Sequence, residues 1–502
     1  MIYPLPIYHL LPTLYQLPNR VDSAALPQND NVFSPSTLDI RTKWYNYEQI
    51  MRIGLFTDTY RPSINGITFV VETLKHQLEA LGHEVYVFCP ARTIRPSSNA
   101  ELMPESDHII RFPSVKSGFF DDFDISLIFP VKVMRQIREM ELDVIHIFTP
   151  SQVGLLGINV ALKNDIPFII QHCTDLYEFF ENYPNVLPGV LALIGVVFPA
   201  NVKLNGKDMR TIVKMYRPSR NATVWGRRII SKAITLLYSK ADAVIALCSK
   251  SYKQLESWQD EQYHYPLTLM PNGVNAIPKP SEGALQAFRD KWGLRASDEV
   301  YGFVGRLGEE KNLPILIKAF NKIGATRPKA KLLFVGDFDY RETLEDMAAH
   351  SKFPDRIIFT GAMPREELGV AYAALDVFAF PSLKDTQGWV LHEAAHAKLP
   401  IVLIDQGVSE VVEDGQNGYF ARNNPTDFAR KVTSLLSSPT KRHHFGEHSK
   451  QLALRFTEKK QVVKLEKLYK NIIEKHTPVE TEKHPFFRLP KLPHNQKIIR
   501  RK

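Results

Sequence analysis

The sequence predicts an α/β protein of two doubly wound domains in tandem, facing each other across a cleft. Three observations carry this expectation. The chain has 502 residues, too many for one ordinary core and suited to two domains of about 200 residues each. Short apolar runs alternate with helical stretches along most of it, the pattern of parallel sheets with crossover helices. The succession also runs twice, with a break near residue 265.

Residues 1–50 are rich in Pro, Tyr and Asn, lack a regular period, and have neither the basic start nor the cleavage site of a signal peptide. They read as an extension, with Met51 as the functional start or the first fifty residues as a dispensable arm. The first succession comprises strands 53–56, 84–89, 144–148, 167–171 and 243–247, with a helix over 69–81, and ends near Tyr265. The second begins with a strand at 267–270 and continues through 300–304, 331–335, 356–359, 377–381 and 401–404. A long helical run then extends from Phe445 to about Lys475. The stretch 476–502 is a basic, Pro-containing tail ending Lys-Ile-Ile-Arg-Arg-Lys.

Composition narrows the function. Hydrophobic content is 44%, which is globular. Cys89, Cys173 and Cys248 lie far apart without metal-ligand spacing, which predicts reduced thiols and a cytosolic protein. The formal net charge is +9, and the window 201–240 alone holds ten Lys or Arg against the single acid Asp208. An anionic surface is the expected partner. The apolar stretch 186–200 just before this window is too short to span a bilayer and long enough to dip into its interface. Apolar followed by polybasic is the two-signal arrangement of peripheral membrane proteins, so segment 186–240 is expected to face a membrane, with Arg217, Arg220, Arg227 and Arg228 as contacts. A buried helix followed by an exposed basic one is the plainer alternative. Nucleic acid is disfavoured, because aromatics are sparse here (Tyr216, Trp225, Tyr238) and no binding motif occurs.

Doubly wound domains bind ligands beyond the carboxyl ends of their strands, so the chemistry should lie there. At one such end, Gly305-Arg306 is followed five residues later by Lys311, setting two cations where a leaving diphosphate would sit. At another, Asp385 and Glu393 stand eight residues apart at a loop-to-helix junction. Were both helical they would share a face, although such pairs are most often solvated surface. Asn65-Gly66 lies between a strand and a helix, where Gly66 permits close backbone approach to a phosphate. The triplets Asp122-Phe-Asp124 and Asp337-Phe-Asp339 lack supporting ligands nearby, and no metal or other cofactor is expected.

These motifs, with Pro271-Asn272-Gly273-Val274-Asn275 and the stretch 408–418, resemble the retaining nucleotide-sugar glycosyltransferases of family 4, which have the GT-B fold of two Rossmann-like domains. The resemblance runs from Met51 to about Lys475. It implies an acceptor-side domain at 51–265, a nucleotide-sugar domain at 266–445 and a helical crossover at 446–475. It further implies that Arg306 and Lys311 hold the diphosphate, that Glu393 holds the ribose, and that Asp385 with the amides of Gln387 and Gly388 holds the sugar. Gly66 and Gly305 would face the donor. Thr386-Gln387-Gly388 most resembles bacterial diacylglycerol α-glycosyltransferases. The first acid is Asp385 where that family usually has Glu. In Gln171-His172-Cys173-Thr174-Asp175, Cys173 stands where the family commonly has His. His172 then either takes that part from another angle or is a core residue.

The expected activity is retaining transfer of a hexose, glucose from UDP-glucose, to a membrane glycerolipid such as diacylglycerol, by a cytoplasmic protein peripheral on the inner membrane face. Alternatives are UDP-galactose or GDP-mannose as donor and a glycosyl-diacylglycerol, phospholipid or polysaccharide as acceptor. A non-catalytic membrane-binding protein on the same scaffold is the alternative of another class.

Overall fold

A computed structural model describes residues 50–63, 65–91, 108–116, 124–125, 136–174, 194–195, 198–216 and 222–476. The expectations for the extension, the tail beyond His476, Asp122, Asp175, Arg217, Arg220 and most of 186–200 fall outside these residues. Everything below lies in the compact unit that begins at Ile50.

The first sheet has seven strands: β1 Arg52–Phe56, β2 Glu84–Ala91, β3 Ile109–Pro113, β4 Val144–Ile147, β5 Phe168–His172, β6 Ala243–Ala246 and β7 Leu267–Leu269. Every pairing is parallel and the spatial order is β3-β2-β1-β4-β5-β6-β7. The second sheet has six strands: β8 Glu299–Val304, β9 Ala330–Val335, β10 Ile357–Phe359, β11 Val377–Phe380, β12 Ile401–Leu403 and β13 Gly418–Phe420. It too is all parallel, ordered β10-β9-β8-β11-β12-β13. Central strands such as β4 and β11 are buried along their whole length, which is why they read as unbroken apolar runs. In each sheet the winding reverses between the first and fourth strands, which opens a crevice at their carboxyl ends. The architecture is GT-B.

One boundary differs from the sequence expectation. The strand at 267–269 pairs with β6 in the register Val244↔Leu267 and completes the first sheet; it does not open the second. It is a short, half-exposed edge strand, and its sequence alone fits either sheet. β3 and β13 were not anticipated. The helical run after Phe445 is two helices, Pro439–Ala453 and Glu458–His476, separated at Thr457.

The last of these returns to the first domain, as the resemblance implied. Val462, Leu465, Tyr469 and Ile472 enter the same apolar cluster as β1, β2 and β4, and Tyr469 Oη lies 2.7 Å from His146 Nδ1. The two chain crossings between domains run side by side. Val274 N–H donates to the Phe456 carbonyl, and a Cβ on Gly273 would fall 2.3 Å from the Cα of Glu458.

Candidate active site

The switch point of the second sheet brings together the two motifs read from the sequence, since β8 pairs directly with β11. Gly305 follows β8 at φ 144, a region open to glycine. Gly336, at the end of β9, packs against it so closely that a Cβ would lie 1.9 Å from the Gly305 carbonyl oxygen. Backbone thus meets backbone, and the chain turns sharply into Arg306. The Arg306 guanidinium sits 4.6 Å over the ring of Phe338 and 2.8 Å from Glu310 Oε1. Its side chain stays 55% exposed, leaving donors facing outward.

Lys311 ends a short 3₁₀ turn, and the left-handed Asn312 behind it donates to the Pro381 carbonyl at 3.2 Å. That bond ties the lysine turn to the loop after β11. Lys311 Nζ then reaches Asp385 Oδ1 at 2.7 Å. Burial pushes the Asp385 carboxyl up, but the Lys311 ammonium, helped by the Ser382 hydroxyl and the Arg306 charge, more than offsets this and holds it below the usual carboxylate range. Its second oxygen, Oδ2, is buried without a hydrogen-bond partner among the described residues.

Asp385 is not helical. The helix begins at Trp389, after Gly388 in the left-handed conformation at φ 62, so the shared face inferred from an eight-residue spacing does not exist. Glu393, inside the helix, is 3% exposed. Tyr372 Oη donates to its Oε2 at 2.7 Å and Arg365 Nη1 lies 2.8 Å from Oε1. The Arg365 guanidinium in turn lies 5.8 Å from the ring of Phe69 and 5.9 Å from that of Trp389. Arg365 and Tyr372 had no signal in the sequence, because their relation to Glu393 is purely tertiary.

Gln387 is held by the interdomain crossing. Its Oε1 accepts from the Asn272 backbone N–H at 3.1 Å and from Asn272 Nδ2 at 2.9 Å, while its Nε2 donates to the Asn272 carbonyl at 2.9 Å. Gln171 Nε2, at the end of β5, donates to Asn272 Oδ1 at 3.0 Å. One residue earlier, Thr386 Oγ1 donates to the Cys173 carbonyl at 3.0 Å. Lys250 adds a further bridge, reaching the Leu383 carbonyl at 2.6 Å and Asp405 at 3.0 Å. The loop carrying Asp385 is thus pinned across the cleft to the strand ends of the first domain. The side chain of Gln387 is taken up by those bonds.

On the first domain, Gly66 opens the helix Gly66–Ala80 behind the N-cap Asn65, and a Cβ there would meet nothing within 4 Å. His172 resolves the alternative left open by its neighbours. The ring is 2% exposed, with Nδ1 2.9 Å from Tyr238 Oη, so it belongs to the interior of the first domain and corrects the expectation of a sugar-facing histidine. Strand alternation turned it inward, and Cys173 beside it is partly buried, packed against the apolar cluster that holds Ile53, Val85 and Val144. Asp58 carried no motif. It accepts from Thr149 Oγ1 at 2.6 Å and from the Val153 N–H at 2.8 Å, joining the ends of β1 and β4. Burial raises its carboxyl to about 6 against these bonds.

Of the remaining expectations, Asp337 pairs with Arg341 at 3.0 Å. Arg227 and Arg228 lie exposed on the helix Ala222–Tyr238. Among the described residues, no helix is long and apolar enough to cross a membrane.

Comparison with known proteins agrees with this geometry. Residues 64–276 match the family model Glycosyltransferase Family 4, and residues 286–452 match Glycosyl transferases group 1. The chain is 30% identical over 382 residues to alpha-monoglucosyldiacylglycerol synthase of Acholeplasma laidlawii, covering 74% of this chain and 85% of that protein. It is 26% identical over 357 residues to the enzyme of the same name from Streptococcus pneumoniae, covering 70% of each. Anabaena HepE, solved in complex with UDP-glucose, shares the fold with a TM-score of 0.58 at 18% identity, over 85% of this chain and 100% of that one. The chain belongs to the GT-B glycosyltransferases, its amino-terminal part of the family 4 type and its carboxyl-terminal part of the group 1 type.

Proposed function

We propose that the protein transfers glucose from UDP-glucose to a hydroxyl of a membrane glycerolipid, diacylglycerol, with retention and formation of an α-linkage. The observation that carries this reading is the Lys311–Asp385 pair in the switch-point crevice, with Arg306 beside it. Arg306 and Lys311 stabilise the negative charge that develops on the departing diphosphate. Glu393 binds the ribose hydroxyls, and Arg365 and Tyr372 hold its carboxylate in place. Asp385 Oδ2 accepts a sugar hydroxyl, and the amides of Gln387 and Gly388 complete that contact. The leaving phosphate takes the acceptor proton on the same face, so no separate base is required.

Similarity to two alpha-monoglucosyldiacylglycerol synthases supports glucose and a glycerolipid. The basic surface of the first domain supports peripheral docking on an anionic membrane, in a cytoplasmic protein. The test incubates the protein with a lipid extract and UDP-glucose, UDP-galactose or GDP-mannose in turn, and reads the lipids by mass spectrometry. A hexosyl-diacylglycerol formed from UDP-glucose is expected. Extension of soluble glucans or free sugars alone would overturn the lipid acceptor, and a product formed only with another donor would overturn the glucose.

A further inference from the structure

The basic window folds into a defined surface whose parts differ in character. The helix Gly206–Met215 is capped by Asn205 and Asp208 in a reciprocal capping box. Asp208, the only acid of the window, is turned inward. It lies 2.8 Å from Lys240 Nζ and accepts from Tyr263 Oη at 3.1 Å, so it does not offset the surface charge. With Ile212 and Met215 it forms the buried side of the helix.

At ~100° per residue, the exposed arc then runs in order. Met209 and Val213, 42% and 63% exposed, lie at one edge. Arg210 follows, and Lys207 and Lys214 lie at the other edge. Beside that second edge opens a cavity of about 210 Å³ between this helix, the helix Ala222–Tyr238 and the loop 258–263. Lys214, Arg228 and Lys232 line it, and neither lysine has an ion-pair partner among the described residues. Thr211 and Gln262 add polar groups at its wall. Its one lining carboxylate, Asp260, accepts from the Gln262 and Tyr263 N–H groups at 2.9 Å each, both through Oδ1, and is outnumbered three to one by Lys214, Arg228 and Lys232.

We propose that this cavity is a binding site for the phosphate of an anionic glycerophospholipid, separate from the transfer site. A phosphodiester needs charge-assisted donors converging from more than one direction, and here they come from two helices. The apolar pair at the far edge of the same exposed arc enters the acyl region while the headgroup sits in the cavity. Charge complementarity and these exposed apolar residues select a lipid over a free anion. This inference rests on the membrane reading above and sharpens it from a diffuse basic surface to a seat for one headgroup.

The test compares two variants of equal charge loss, K214A/K232A in the cavity and K203A/K207A on the exposed surface outside it. Binding of the full chain to phosphatidylcholine vesicles containing phosphatidylglycerol is measured at low salt and at about 1 M salt, where the screening length is about 3 Å. At low salt both pairs should weaken binding, by up to about 30-fold for two surface lysines. At high salt K203A/K207A should bind as wild type does, whereas K214A/K232A should lose at least about tenfold more. Equal losses at both salts would overturn the cavity and leave the membrane surface standing. No loss for either pair would remove both. Inorganic phosphate replacing chloride at equal ionic strength should leave vesicle binding unchanged; displacement would assign the cavity to the free anion.

Discussion

Substituting Lys311 by Met separates what the Lys311–Asp385 pair does for the fold from what it does for transfer. The side chains are 15% and 18% exposed, so the variant leaves a buried carboxylate without its counter-ion, which costs about 3–5 kcal/mol. For a domain of this size that lowers the melting temperature by about 6–20 °C. In the wild type the Asp385 carboxyl is pushed up by burial yet held below its ordinary range by Lys311. The pairing therefore contributes stability above about pH 4 and loses it as pH falls through the folded value. In K311M burial is opposed only by the Ser382 hydroxyl and the Arg306 charge, so the deficit is greatest at neutral pH and shrinks towards pH 4. The double variant K311M/D385N removes the orphaned charge and should recover most of the melting temperature at pH 7. It should not recover transfer, which falls about 10²–10³-fold with loss of the diphosphate cation. Differential scanning calorimetry at pH 4, 5 and 7, with single-turnover transfer assays, reads both effects. A K311M protein as stable as wild type at pH 7 would refute the pairing, and a double variant with restored transfer would refute the phosphate role.

Three further outcomes are expected. Arg306→Ala should abolish sugar transfer while leaving vesicle binding intact; unchanged transfer would remove Arg306 from the phosphate site. Asn272→Ala removes the side-chain bonds to Gln171 and Gln387, leaving Gln387 only its two backbone bonds; the Asp385 loop loosens, which should lower kcat by about tenfold in a steady-state assay, with vesicle binding unaffected. Asp58 is raised to about 6 by burial, so its stabilising share is full below about pH 4 and is lost as pH rises through 6, about 3 kcal/mol in all. Asp58→Asn should flatten the slope of unfolding free energy against pH between 4 and 6 in urea titrations.

The two sheets were legible because their central strands are buried on both faces and so stand out as apolar runs bounded by turns. What escaped were edge strands: β7, half-exposed and assigned to the wrong sheet, and β3 and β13, which were missed. At the site, Arg306, Lys311, Asp385 and Glu393 were legible because each sits in a local motif. Their partners were not, since Tyr372, Arg365, Asn272 and Gln171 meet them only through the fold. The helical-face inference for Asp385 and Glu393 failed, because the left-handed Gly388 delays the helix to Trp389 and leaves Asp385 in the loop. For His172, neighbouring positions on one strand point to opposite sides, and the sequence could not say which side faced the cleft.

The helix Glu458–His476 carries a consequence for synthesis. Because Val462, Leu465, Tyr469 and Ile472 close the apolar face of the first sheet, that domain cannot finish its core when its own residues leave the ribosome. The second domain, encoded entirely in between, has all its strands available earlier. The half of the molecule translated first is the last to be sealed, since part of its apolar sheet face stays uncovered until residue 472 has emerged.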